Sequence, residues 1–92
     1  MNIPSSIKVG GIVYQIHIAE DWLGRGDADG QKFYDTDMGN CIFIASHLSQ
    51  EAKEVTFLHE VMHCMNSTIS HEFLDSFAEQ WYQFLVDNEM LA

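Results

Sequence analysis

The sequence predicts an α+β domain: a small antiparallel sheet of two hairpins followed by two helices, with residues 1–92 forming one unit. Three observations carry that prediction. β-Branched residues alternate with a period of two through the first half, whereas apolar residues recur at helical spacing through the second, and the switch happens once, near Ser49. A chain of 92 residues supports one core. At 47% hydrophobic and 12% aromatic residues it has the apolar material to fill that core, so disorder is excluded for the bulk of it.

The elements follow in order. Ile7–Val9 runs into Gly10-Gly11, and Ile12–Ile18 continues with apolar residues at alternate positions. A Gly-Gly pair between two such runs marks a hairpin, because glycine accepts the positive φ of a primed turn. Glu20–Gly30 is polar and glycine-punctuated and is the longest expected loop. A second hairpin joins Gln31–Tyr34 to Cys41–Ile44 through a turn at Thr36–Asn40. Ser49 is a good N-cap for a first helix, with Glu51 in its first turn, where the positive end of the helix dipole favours an acid. That helix should stop near Asn66-Ser67, and a second begins near Ser70. Met62, Met65, Trp81 and Phe84 are helix-spaced and expected in the core.

Charge narrows the function classes. Four basic residues against fourteen acidic ones give a net charge of −10, a surface that repels phosphate backbones, so direct nucleic-acid binding is not expected. No apolar run approaches the ~18 residues of a spanning helix, so no membrane partner is expected either. The start, Met1 to Ser6, has neither a basic nor an apolar leader segment, and no secretory signal is expected. Two cysteines, Cys41 and Cys64, are too few for a disulfide framework and suit a reducing cytoplasm.

Chemistry is concentrated in the first helix, at His59-Glu60-Val61-Met62-His63. Residues four apart project from one helix face, so both imidazoles reach a single ion. Glu60 stands beside them as a base for a metal-activated water. This H-E-x-x-H spacing is that of two zinc ligands and a general base for hydrolysis.

A zinc site needs a third protein ligand, and the second helix offers His71, Glu72, Asp75 and Glu79. With Leu74 as the zero of a helical wheel, the apolar face runs from about −100° at Phe73 to about +40° at Ala78. His71 falls at about 60° and Asp75 at about 100°, beside that face, with Glu79 and Glu72 further round at about 140° and 160°. The wheel therefore favours His71 or Asp75. Being four apart, one of them can bind the metal while the other orients an imidazole from behind.

Thr56-Phe57-Leu58-His59-Glu60-Val61-Met62-His63, after its acidic helix start, resembles the zincin metallopeptidases, and among them the ImmA/IrrE-like group and small phage- or prophage-encoded proteins of that type. The similarity in layout extends over nearly the whole chain. It takes in the strand pair around a glycine turn, the second hairpin, and a last helix containing Phe77-Ala78 and Trp81 to Asn88. The resemblance implies a zinc-dependent peptidase with a peptide or protein substrate, acting in the cytoplasm of a host cell. In larger members the third ligand is usually an acidic residue early in the last helix. Aligning on Phe77-Ala78 brings His71 to that place, and a shift of one residue brings Glu72, so this chain departs from the pattern there.

Two rival functions stand beside hydrolysis. Zinc can be purely structural in an acidic protein that binds and inhibits a host protein, or the −10 charge can mimic DNA without any metal. Other features weigh less. Asp27–Gly30 resembles part of a calcium loop, but Arg25 occupies its first ligand position and no Glu stands at the twelfth. Cys64 should pack as a small hydrophobe, and His47 reads as a surface turn residue. Tyr34 and Tyr82 are candidate donors near the site, and the edge of Cys41–Ile44 is a candidate for substrate strand addition.

Overall fold

A computed structural model describes residues 1–20, 30–35 and 39–91, and of residues 33–35 the backbone alone. The four strands are β1 (Ser6–Val9), β2 (Ile12–Ala19), β3 (Gly30–Asp35) and β4 (Gly39–Ala45), and the two helices are α1 (Gln50–Met65) and α2 (His71–Asp87). The arrangement is α+β, as the periodicity predicts. Both hairpins form. β1 and β2 pair antiparallel from Ser6↔Gln15 to Val9↔Ile12, around Gly10 and Gly11 at φ +57° and +82°. Two successive positive φ values are what a primed turn demands, and glycine meets them without steric cost.

The two hairpins join differently from the all-antiparallel expectation. β3 takes the outer position and β4 returns inside it, so β4 runs parallel to β2, from Gln15↔Cys41 to Ala19↔Ala45. The sheet is mixed, in the order β1-β2-β4-β3. The sequence of β4 agrees with a central place: Cys41-Ile42-Phe43-Ile44-Ala45 is apolar without alternation, and all five residues are buried. This strand is hydrogen-bonded along both sides, so Cys41–Ile44 has no edge to give a substrate; among the described strands, β3 has one.

The core lies between the sheet and α1. Tyr14, Ile42 and Ile44 meet Phe57, with Ile16, Val61 and Cys64 packed around them. Ser49 caps α1 by accepting from the Ala52 N–H at 3.1 Å, and Ser70 caps α2 by accepting from the Phe73 N–H at 3.2 Å. Helix α1 ends where the Asn66 N–H bonds the Met62 carbonyl. Helix α2 packs chiefly on α1, which makes it a third layer.

The packed side of α2 departs from the predicted one. Leu74, Ala78 and Tyr82 are buried, whereas Phe73, Phe77, Trp81 and Phe84 are exposed, and so is Met65 at the end of α1; Met62 is only partly buried. On the wheel the buried stripe runs from about 0° to 80°, displaced by some 70° from the expected apolar face towards His71. Burial here follows the surface that α1 presents, and α1 covers only a narrow strip. Among the described residues, no helix is long and apolar enough to cross a membrane.

Candidate metal centre

Helix α1 lies across the sheet with His59 and His63 on one side of it, one turn apart, and their Nε2 atoms are 3.0 Å from each other. The turn after α1 is short, and the Ser70 cap fixes His71 as the first residue of α2. Its Nδ1 then lies 3.4 Å from Nε2 of His59 and 3.2 Å from Nε2 of His63. Among the described residues, these three histidines form a cluster able to hold a metal ion.

The spacing suits zinc. Tetrahedral bonds of about 2.0–2.1 Å place ligand nitrogens about 3.3 Å apart. The donor set suits it as well, because three ring nitrogens facing one another cannot all be satisfied by mutual hydrogen bonds, whereas a cation takes all three lone pairs. Burial, opposed by the charge of Asp75 and reinforced by His71, lowers the pKa of His59. Burial together with His59 and His71 lowers that of His63. Both shifts favour the neutral ring, the form that binds metal.

Asp75 sits one turn beyond His71, and its Oδ1 lies 3.1 Å from Nδ1 of His59. It faces the far nitrogen of that ring and stands outside the trio. Of the second-helix candidates, His71 therefore joins the cluster and Asp75 orients it. Glu72 and Glu79 are exposed surface carboxylates, with Glu79 on the wall of the adjoining groove.

Glu60 is turned inward and only 4% exposed. Burial pushes its carboxyl up to about 7, against the opposing pull of Lys32, whose charge and backbone N–H both favour the carboxylate. The Lys32 ammonium reaches the carbonyl of His63 at 3.4 Å. Gly30, at the start of β3, lets that strand approach α1: a Cβ there would collide with the Thr56 methyl and press on Glu60. Lys32 and Gly30 had no motif to mark them in the sequence; a cation in an acidic stretch, shared there with Arg25, and a glycine just before the expected third strand were the available hints.

His59, Glu60, His71 and Asp75 share the wall of a groove of about 710 Å³ that extends along α1 to Ser49 and along α2 to Gln83. A second hollow of about 340 Å³, lined by Lys32, His63 and His71, lies beside it, and Gly30 borders both. Tyr82 reaches the groove wall, but its hydroxyl donates to Glu54 at 3.2 Å inside the α1–α2 interface. The Tyr34 side chain and the calcium-like stretch up to Asp29 lie outside the described residues. His47 is an exposed turn residue. Cys64 packs at the core margin, and burial raises its pKa. Neither it nor Cys41 forms a disulfide.

No protein-family model matches the chain, and no curated protein or solved structure is significantly similar to it.

Proposed function

We propose that this protein is a zinc-dependent metallopeptidase of minimal size. The observation that carries the reading is the convergence of three imidazole nitrogens at 3.0–3.4 Å beside a buried glutamate on the same groove. His59 and His63 would hold the ion through Nε2 and His71 through Nδ1, and three protein ligands leave a position open, as catalytic sites require. Zinc there supplies a Lewis acid and a water of lowered pKa.

The chain's own groups do the rest. Asp75 accepts the Nδ1–H of His59 and so keeps the lone pair on Nε2. The Glu60 carboxylate takes the proton from the attacking water and returns it to the departing amine. A carboxyl lifted to about 7 holds and releases a proton near neutral pH. Strand β3, the edge strand bordering the groove at Gly30, supports binding of an extended peptide by backbone pairing. The two cysteines outside any disulfide fit a cytoplasmic setting, in a host cell if the gene is a phage's.

The test is elemental analysis of untagged wild type and His63→Ala, followed by cleavage of a peptide library by wild type and Glu60→Gln. One zinc per chain, lost in His63→Ala, with cleavage lost in Glu60→Gln while zinc is retained, is the expected result. Zinc without cleavage in wild type would favour the non-catalytic inhibitor, and absence of zinc uptake would refute the centre altogether.

A further inference from the structure

The outer side of α2 carries an aromatic ladder. Phe73, Phe77, Trp81 and Phe84 lie in one row with rings stacked nearly parallel, their centroids 5.4, 6.4 and 5.4 Å apart in succession. All four are exposed, at 55, 45, 43 and 47% respectively. A contiguous apolar row of this kind is as large as the largest patch a typical monomer exposes, and such patches are often binding surfaces. On the wheel it spans about −100° to −20°, some 120° from His71, so it faces away from the metal centre. It belongs neither to the core nor to the proposed active site.

We propose that a second copy of this chain covers the row, in a two-fold dimer made by α2 against α2. Area is the first argument. Aromatic side chains present up to about 200 Å² each, so the exposed halves of four rings amount to roughly 400 Å² per copy. Homodimer interfaces are about 65% apolar, which sets the total near 1,200 Å² for the pair, at the threshold of a specific interface. A two-fold axis also lets one row serve both sides, because the same patch meets itself.

The border of the row is the second argument. On its solvent side stand Gln80, Ser76 and Gln83, neutral groups bonded within the helix, Gln80 to Ser76 at 2.9 Å and Gln83 to Asp87 at 2.7 Å. The acids Glu72, Asp75 and Glu79 lie round the helix at about 100° to 160°, away from the row. A surface meant for a basic partner would carry acids along its rim. Here Asp87, at about −140° between Gln80 and Ser76, is the one acid on that border, and a second copy meets mostly amides and hydroxyls. The whole-chain charge of −10 still repels at long range, so salt should strengthen the dimer by screening.

Sedimentation equilibrium of the full chain with zinc tests this. Wild type should sediment at twice the 10.5 kDa chain mass at tens of micromolar, with a dissociation constant that falls as NaCl rises from 20 to 300 mM. Trp81→Glu and Phe77→Glu change exposed positions and should weaken the dimer at least tenfold while leaving the zinc stoichiometry and circular dichroism unchanged. Ile12→Glu, on the exposed tip of the first hairpin, should leave the dimer intact. A wild-type monomer at 100 μM, a dimer that survives Trp81→Glu, or a dimer that Ile12→Glu dissolves would each overturn the proposal. A dimer weakened by salt would overturn it too, since that points to opposite charges at the interface. All of these readouts are independent of peptidase activity.

Discussion

Asp75 holds His59 from behind: its Oδ1 lies 3.1 Å from Nδ1, while Nε2 of the same ring faces His63 at 3.0 Å. The pair lies across the α1–α2 junction, so the register between the two helices also sets the orientation of the His59 ring. Removing the carboxylate should loosen the ring without removing a nitrogen. Asp75→Asn should therefore lower zinc affinity about 10- to 100-fold, whereas His59→Ala should abolish stoichiometric binding. Competition against a chromogenic chelator measures both, and equal losses in the two variants would count against the orienting role.

Glu60 makes the stability of the metal-free protein depend on pH in an unusual direction. Its folded pKa is about 7, above the ordinary 4.5, so the folded state binds the proton more tightly. The stabilisation is complete below pH 4.5 and is lost as pH rises through 7, on the order of 3 kcal/mol over that span. His59 and His63 act oppositely, since their lowered pKa values give stability that appears as pH rises past the ordinary histidine range. The difference between wild type and Glu60→Gln isolates the carboxyl. Urea denaturation in EDTA should show the variant gaining on wild type between pH 5 and pH 8, and parallel curves would refute the shift.

What the sequence made legible is what local spacing encodes. The i, i+4 histidines, the Ser49 cap, the start of the second helix near Ser70 and the Gly10-Gly11 turn each need only neighbours a few residues away, and all are where the spacing puts them. The wheel narrowed the second-helix candidates to His71 and Asp75, and what separates the two is the distance across the α1–α2 junction, which puts His71 in the cluster. The aromatic row was not: periodicity says that Phe73, Phe77, Trp81 and Phe84 share a face, but whether anything covers that face is a tertiary fact. The parallel β2–β4 pairing is similarly non-local. A hairpin signal specifies its own two strands and says nothing about which strand of the next hairpin lies beside them. Lys32 reaches Glu60 and His63 only through that strand order.

Gly30 is a steric requirement with a defined opponent. A methyl group there meets Cγ2 of Thr56 well inside contact distance and touches Glu60 beyond it. Gly30→Ala should force β3 away from α1, costing about 1–3 kcal/mol as overpacking does. Thr56→Ser deletes the opposing methyl and keeps the hydroxyl, so the double variant should recover much of the loss. A thermal-denaturation cycle over the four proteins reads the coupling, and strictly additive effects would mean that the two residues do not oppose each other.

The α1–α2 interface has a buried charge at its centre. Glu54 accepts from the Met1 ammonium at 2.9 Å and from the Tyr82 hydroxyl at 3.2 Å. Burial alone would raise its pKa, but hydrogen bonds from the terminal ammonium, Gln50 and Tyr82, with the ammonium's charge, bring it below the ordinary value. With a depressed folded pKa, the stabilisation is present above the unfolded value and is lost as pH falls through the folded one, so Glu54 contributes to acid unfolding. Tyr82→Phe keeps the packing of the ring and removes one donor from a buried carboxylate. It should cost about 1.5–3 kcal/mol at neutral pH. The cost should shrink in acid, once Glu54 is protonated and no longer needs a donor. Denaturant titrations from pH 7 down into the acid range test both statements; a loss of constant size across that range would show that the hydroxyl does not serve the Glu54 carboxylate.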